Sequence, residues 1–146
     1  MPRTAAERRA DAIAKLENDG DVWIATGDAH GHPHLVPLSL LWDGRRIIVA
    51  TLSASPTARN ATASGRARLA LGDTRDVVMI DATAEVVPLP DTPPDVVEAF
   101  VRRCQWDPRR SQEPYSFLFL SPRRVQVWRN EPEIAGRTVM RGGQWL

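Results

Sequence analysis

Residues 46–60 read Arg-Ile-Ile-Val-Ala-Thr-Leu-Ser-Ala-Ser-Pro-Thr-Ala-Arg-Asn, an apolar run that passes directly into a stretch of hydrogen-bond donors. The run through Leu52 suits a buried strand. Ser55 is a good N-cap and Pro56 fits the first helical position, so a helix over 55–63, ended by Ser64-Gly65, follows the strand. Capping explains Ser55 and Pro56 only. It leaves Thr51, Ser53, Thr57 and Arg59 unexplained. A helix N-terminus carries free N–H groups and a positive partial charge. With hydroxyls beside it and an arginine one turn in, it suits a phosphate group. A capped helix that binds nothing is the competing reading at this point.

Outward from this stretch the chain alternates strands and turns. Upstream, 22–26 is β-rich, Gly27 to Gly31 is turn chemistry, and Pro33 to Trp42 reads as one strand before the hairpin signal Asp43-Gly44. Pro37 lies inside that strand and marks an edge, a bulge or a local opening, because proline donates no ladder bond. Downstream, 66–71 and 77–87 are strands joined by the polar turn Gly-Asp-Thr-Arg-Asp, and 115–120 and 124–128 read as two more. Short strands on hairpin-length turns predict an antiparallel sheet or barrel. Thr4 to Glu7 forms a capping box for a first helix with an Ala6, Ile13, Leu16 stripe, and Gly20 is expected as its left-handed cap. Thr92 to Asp95 is a second capping signal, and Val97, Phe100, Val101 and Cys104 follow at helical spacing.

The length of 146 residues suits one domain, with an N-terminal helix over 1–20, a barrel with inserted helices over 21–130 and a tail over 131–146. A formal net charge of +1 does not mark a nucleic-acid or membrane binder. Cys104 is the only cysteine, so an internal disulfide is excluded and a reducing, cytoplasmic setting is expected. The N-terminus has no signal-peptide pattern, and no apolar run reaches the roughly 18 residues of a membrane helix.

Three histidines, His30, His32 and His34, alternate in sequence and would share one face of a strand. Gly31 and Pro33 predict a turn that breaks this alignment, so no metal site is expected. Cys104 reads as a small core residue. Trp106 and Trp128 could stack on an aromatic ligand or pack in a core or interface. No P-loop, dinucleotide fingerprint or Ser-His-Asp signature occurs.

The order of motifs carries a resemblance. Residues 31–44 (GHPHLVPLSLLWDG), a strand ending IIVATL, then SPTARN, GRARLALGD and TRDVVMIDATAEV make the chain similar to the pyridoxamine 5'-phosphate oxidase-like proteins. The resemblance is clearest over 21–87 and reaches the C-terminal AGRTVMRGGQWL. It implies a mainly β fold with flanking helices, the antiparallel FMN-binding split β-barrel, and a homodimer with its cofactor at the interface. It implies FMN or the deazaflavin coenzyme F-420 as cofactor, and hydride transfer to or from a small organic substrate. The phosphate would sit on Thr51, Ser55, Thr57, Arg59 and Asn60. The ring would lie against Val36, Pro37, Leu38 and Ser39, with Val49 and Ala50 on the neighbouring strand; Trp106 and Trp128 are candidates from the partner chain. Arg66, Arg68 and Arg75 are candidates for an acidic deazaflavin tail, or a solvated strand face. The C-terminus lacks the basic segment expected for vitamin B6 oxidation. A binding protein without turnover and a haem-binding split barrel remain as alternatives, the latter on the histidines alone.

Overall fold

One residue, Leu40, decides the architecture. In the computed structural model, which describes residues 1–146, it separates strand β2 (Pro33–Ser39) from β3 (Leu41–Trp42). The other strands are β1 (Asp21–Gly27), β4 (Ile47–Leu52), β5 (Arg66–Leu71), β6 (Val77–Pro88), β7 (Tyr115–Trp128), β8 (Thr138–Arg141) and β9 (Gln144–Trp145). They form one antiparallel sheet in the order β2-β1-β5-β6-β7-β4-β3, extended by β8 on β7 and β9 on β8. Thus β2 and β3 stand at opposite ends of the path. Neighbouring strands are about 4.8 Å apart, and one residue cannot span a flat sheet of this width. The sheet therefore curls until its ends meet. Where they meet, β2 lies beside β4 without a ladder between them, so the barrel stays split along that seam.

The seam explains Pro37. Strand β2 pairs only with β1 and is an edge, where a missing N–H costs no ladder bond. The Pro33–Trp42 strand expected from the sequence is thus two strands on different edges. Leu40 is fully buried between them, and its N–H turns back to Gly20 O at 3.0 Å.

The barrel interior is aliphatic: Val22, Ile24, Ile47, Val49, Leu69, Ile80, Leu118 and Leu120 meet there. A second cluster lies outside the wall, where α3 (Pro94–Cys104) lays Val97 and Phe100 on Ile48, Ala50, Phe117 and Phe119. This is why the apolar run of β4 has no alternation, since both its faces are covered. The helix expected after the Thr92 to Asp95 signal is α3, but Thr92 does not cap it. Its hydroxyl donates to Pro88 O at 3.1 Å, and Pro93 occupies the cap position.

Three other expectations change. Strands 115–120 and 124–128 are one strand, β7, continuous through Ser121-Pro122 because β6 follows it along its whole length. Helix α1 (Ala5–Asn18) is capped by Thr4 as read, yet it ends on extended Asp19 and not on a left-handed Gly20. It buries Ala12 and Leu16, while Ala6 faces solvent. The 131–146 tail, which the sequence left without assigned elements, forms α4 (Glu131–Ile134) and the β8–β9 hairpin, and the hairpin joins the sheet.

Charge fastens α1 to the rest. Arg3 donates to both Glu133 oxygens, at 3.0 and 2.8 Å, and to Asp11 at 2.8 Å. Lys15 and Arg129 meet Asp76 at 3.0 and 3.3 Å. The Asp76 turn itself requires Gly72. Its φ is 77°, and a Cβ there would stand 2.2 Å from Asp76 O.

Candidate functional site

The split seam holds a groove of about 440 Å³, within the range of small-molecule sites. One wall is Pro37, Leu38 and Ser39 on the free edge of β2, and the facing wall is Ala50, Thr51 and Leu52 of β4. Aromatic side chains form the third side. Trp106, 42% exposed, packs edge-on against Tyr115 (5.0 Å between centroids) and Phe100 (6.3 Å). Phe100 in turn packs edge-on against Phe117 at 5.2 Å, which anchors this wall in the core beneath α3. Asp21 lies in the same lining, and the Ser39 hydroxyl donates to it at 3.2 Å.

From Thr51 the chain runs into α2 (Pro56–Ser64), whose left-handed end is Gly65 as expected. Ser55 Oγ accepts from Ala58 N–H at 3.1 Å, the cap read from sequence, and also from the Thr51 hydroxyl at 3.2 Å. A hydroxyl has two acceptor sites and one proton. Both acceptor sites of Ser55 are filled, so its own O–H is free to donate outward. Pro56 has no N–H, Ala58 and Arg59 donate theirs to Ser55, and the Thr57 N–H has no partner. Arg59 is exposed and joins none of the molecule's ion pairs. The strand end therefore presents a hydroxyl donor and an unpaired guanidinium at a helix N-terminus, a donor set suited to a phosphate group.

The structure sorts the expected residues. Pro37, Leu38, Ser39, Ala50 and Thr51 line the groove together, and Ser55 and Arg59 stand at the adjoining helix start. Thr57 is 1% exposed, so it lies beneath the surface of the helix start and adds little to the donors presented there. Asn60 points elsewhere: its Nδ2 donates to Thr26 Oγ1 at 3.2 Å and ties α2 to β1. Val49 lies within the barrel core, and Val36 packs against it. Trp106 belongs to this chain's own groove, whereas Trp128 lies on the far stretch of β7 under the Arg137 guanidinium. Sequence reasoning missed Asp21, Leu52, Phe100 and Tyr115. The helical spacing of Phe100 pointed to burial, and only the packing of α3 on β4 shows that its burial also closes the groove.

The remaining candidates have other partners. Asp28 accepts from the N–H groups of His30 and His32 and meets His32 Nδ1 at 2.9 Å, so its carboxylate organises the β1–β2 turn. Hydrogen bonding from His32 holds the Asp28 carboxyl below its usual range. No three His, Cys, Asp or Glu side chains converge on a metal-sized space. Burial pushes the Cys104 thiol up to about 11, and it donates to Leu40 O at 3.5 Å, which leaves it a protonated packing residue.

A sequence model of the family described as pyridoxamine 5'-phosphate oxidase matches residues 10–129. No curated protein matches the chain by sequence. Among solved structures, an F420 reductase superposes with a TM-score of 0.64 at 17% identity, covering 77% of this chain and 93% of that one. A Clostridium acetobutylicum protein related to general stress protein 26 of B. subtilis, of the pyridoxinephosphate oxidase family, superposes at 0.66 with 14% identity, covering 85% and 89%. HutZ, the heme storage protein of Vibrio cholerae, superposes at 0.66 with 15% identity, covering 82% and 94%. At such identities the likeness is one of fold. The family match over most of the chain, on a sheet that curls into a split barrel, places the protein in the pyridoxamine 5'-phosphate oxidase family.

Proposed function

We propose that this chain, as a single split-barrel domain, is an oxidoreductase that uses FMN or a deazaflavin and moves a hydride between that cofactor and a small organic substrate. The carrying observation is the groove at the split seam, which runs into a phosphate-type donor set at the start of α2. A flavin-type molecule is a planar ring system on a phosphate-bearing chain, and this site offers a slot and a donor set in that order. The bound cofactor supplies the hydride chemistry. The residues of the chain do the rest. Arg59 and the Ser55 hydroxyl hold the phosphate. The free edge of β2 at Pro37 to Ser39 orients the ring through backbone groups. Trp106, Tyr115 and Phe100 keep water from one side of the slot. No histidine lines the groove, which favours this reading over haem.

The proposal includes a homodimer. Trp23 is 49% exposed and Leu35 60% exposed on the outer face of β1 and β2. Their register partners are Pro37 and Ala25, so an apolar strip runs up to the groove. Such strips on a soluble chain mark contact surfaces. A second copy seated there would help close the slot. With one protonated cysteine and no helix able to cross a membrane, a cytoplasmic setting is part of the same proposal.

Absorption spectroscopy of the purified protein, followed by titration with FMN and with the deazaflavin, tests the reading. Saturable binding of either cofactor, and its reoxidation by an organic acceptor, is the expected result. A Soret band on haem addition with no affinity for either cofactor would overturn it. Binding without turnover across acceptors would reduce the protein to a cofactor carrier.

A further inference from the structure

A second hollow, of about 600 Å³, lies over β1, β5 and β6 and shares no residue with the groove. Small residues, Ala25 and Gly27, line it beside Arg66, Arg68 and Arg123, and the hydroxyl of Thr83 joins them. Asp81 is the one carboxylate in the lining, and it is already taken. Arg68 meets it at 2.6 Å and Arg124 at 2.9 Å. Arg66 and Arg123 join no ion pair. Three arginines and one carboxylate thus line the hollow, and Arg124 shares that carboxylate from outside the lining, in a chain whose overall charge is only +1.

Arg123 occupies its place through a backbone device. Asp81 pairs with Arg124 and Ala82 with Pro122, so the ladder skips Arg123. A β-bulge leaves its extra residue unpaired and re-aims the side chain. The β8–β9 turn accommodates the result. Gly143 N–H donates to Arg123 O at 2.9 Å, and a Cβ at Gly143 would stand 2.9 Å from the Arg123 guanidinium. A bulge on one strand and a glycine on a distant hairpin make room for one arginine without an ion-pair partner, whose side chain stands between this hollow and the one beside the β8–β9 turn.

We propose that this hollow is an anion site separate from the groove, and that its ligand is a small molecule with at least two negative charges of phosphate or carboxylate type. Guanidinium forks bind both oxyanions in bidentate fashion. The Arg66 and Arg123 guanidiniums are wholly unpartnered, and Arg68, whose Nε alone is held by Asp81, keeps its terminal nitrogens for the ligand.

Calorimetric titration with inorganic pyrophosphate and with citrate, at matched ionic strength, tests this and separates the two chemistries. The Arg59→Ala variant is the background, because it removes the groove's own cation. The expected result is saturable binding of one or both anions to this variant, weakened at least about tenfold by Arg66→Ala and again by Arg123→Ala, as for loss of a charge-assisted hydrogen bond. Arg66 is exposed and unpartnered, so its variant carries the test even where Arg123→Ala disturbs the bulge; Arg123→Lys then retains the charge without the fork and is expected to bind more weakly than the background. Binding that disappears with Arg59→Ala alone would place the anion in the groove and overturn the proposal. Full binding in the Arg59/Arg66/Arg123 triple alanine variant, or no binding to the wild type, would also overturn it. None of these outcomes bears on whether a flavin-type cofactor occupies the groove.

Discussion

The Thr51 hydroxyl donates to Ser55 Oγ at 3.2 Å, across the junction between the last turn of β4 and the first turn of α2. This bond and the Ala58 N–H bond fill the acceptor sites of Ser55 and leave its proton pointing away from the helix. Capping and anion binding therefore fall on different parts of one hydroxyl, and two substitutions separate them. Ser55→Ala loses the cap and is expected to cost about 0.5–2 kcal/mol of stability. Ser55→Asp keeps a competent cap but sets a carboxylate where the phosphate would lie. Its thermal midpoint should stay near that of the wild type while FMN and deazaflavin affinity collapses. Urea melts and cofactor titrations on both variants check this.

Arg59 is the free cation of the same site. Arg59→Ala removes no ion pair, so the melting curve should hardly move. Affinity for the phosphorylated cofactor should fall by about 1.5–3 kcal/mol, the range for a charge-assisted hydrogen bond. Equal affinities of variant and wild type in a fluorescence titration would remove Arg59 from the site.

Glu133 anchors the N-terminal segment and makes stability sensitive to acid. The Arg3 hydrogen bonds lower its carboxyl from an ordinary 4.5 to about 2. A lowered carboxylate pKa stabilises the folded state above the unfolded value, and that contribution fades as pH falls through the folded one. The loss should thus fall between about pH 4.5 and pH 2. Glu133→Gln should be less stable at neutral pH by about 1.5–3 kcal/mol and show a flatter acid limb. Thermal midpoints measured across that window for both proteins test the sign.

Gly72→Ala should be among the most damaging small substitutions. The added Cβ meets Asp76 O at 2.2 Å, and a φ of 77° is strained for any L side chain. Gly44→Ala has the strain, at φ 92°, but open space around it. Chemical denaturation should show a loss of about 1–3 kcal/mol at Gly44 and a larger one at Gly72.

The apolar strip on β1 and β2 predicts an oligomer. Trp23→Glu or Leu35→Glu should leave circular dichroism unchanged and shift the mass by light scattering toward the monomer. Cofactor affinity should fall in parallel. A wild-type protein that is already monomeric at high concentration would refute the dimer.

Much of this was legible in the sequence because it is local. Thr4 as N-cap, Ser55 with Pro56, and the turn ending in Gly65 hold within a few residues of themselves, and the structure has them as read, except that the Glu7 carboxylate accepts from the Thr4 hydroxyl and not from its N–H. The apolar periods of β1, β5 and β6 set which side chains face inward. The failures are of two kinds, a competing local partner and a distant element. Thr92 gave up its cap for the Pro88 carbonyl, and Pro122 did not end a strand because β6 ran beside it throughout.

By itself, the sequence determined β1, β4, β5 and β6, the capped helix after β4 and the donors gathered there, since propensity and capping act over one turn. Only the tertiary structure decided that Leu40 closes the sheet and that the β2 edge faces β4 across an open seam. It also decided that Thr57 is buried, that Asn60 reaches for Thr26, and that Phe100, Trp106 and Tyr115 wall the groove. The physical reason is register. A strand pattern says which residues share a face, but where a face points depends on how far the sheet curls and on what packs against its outside.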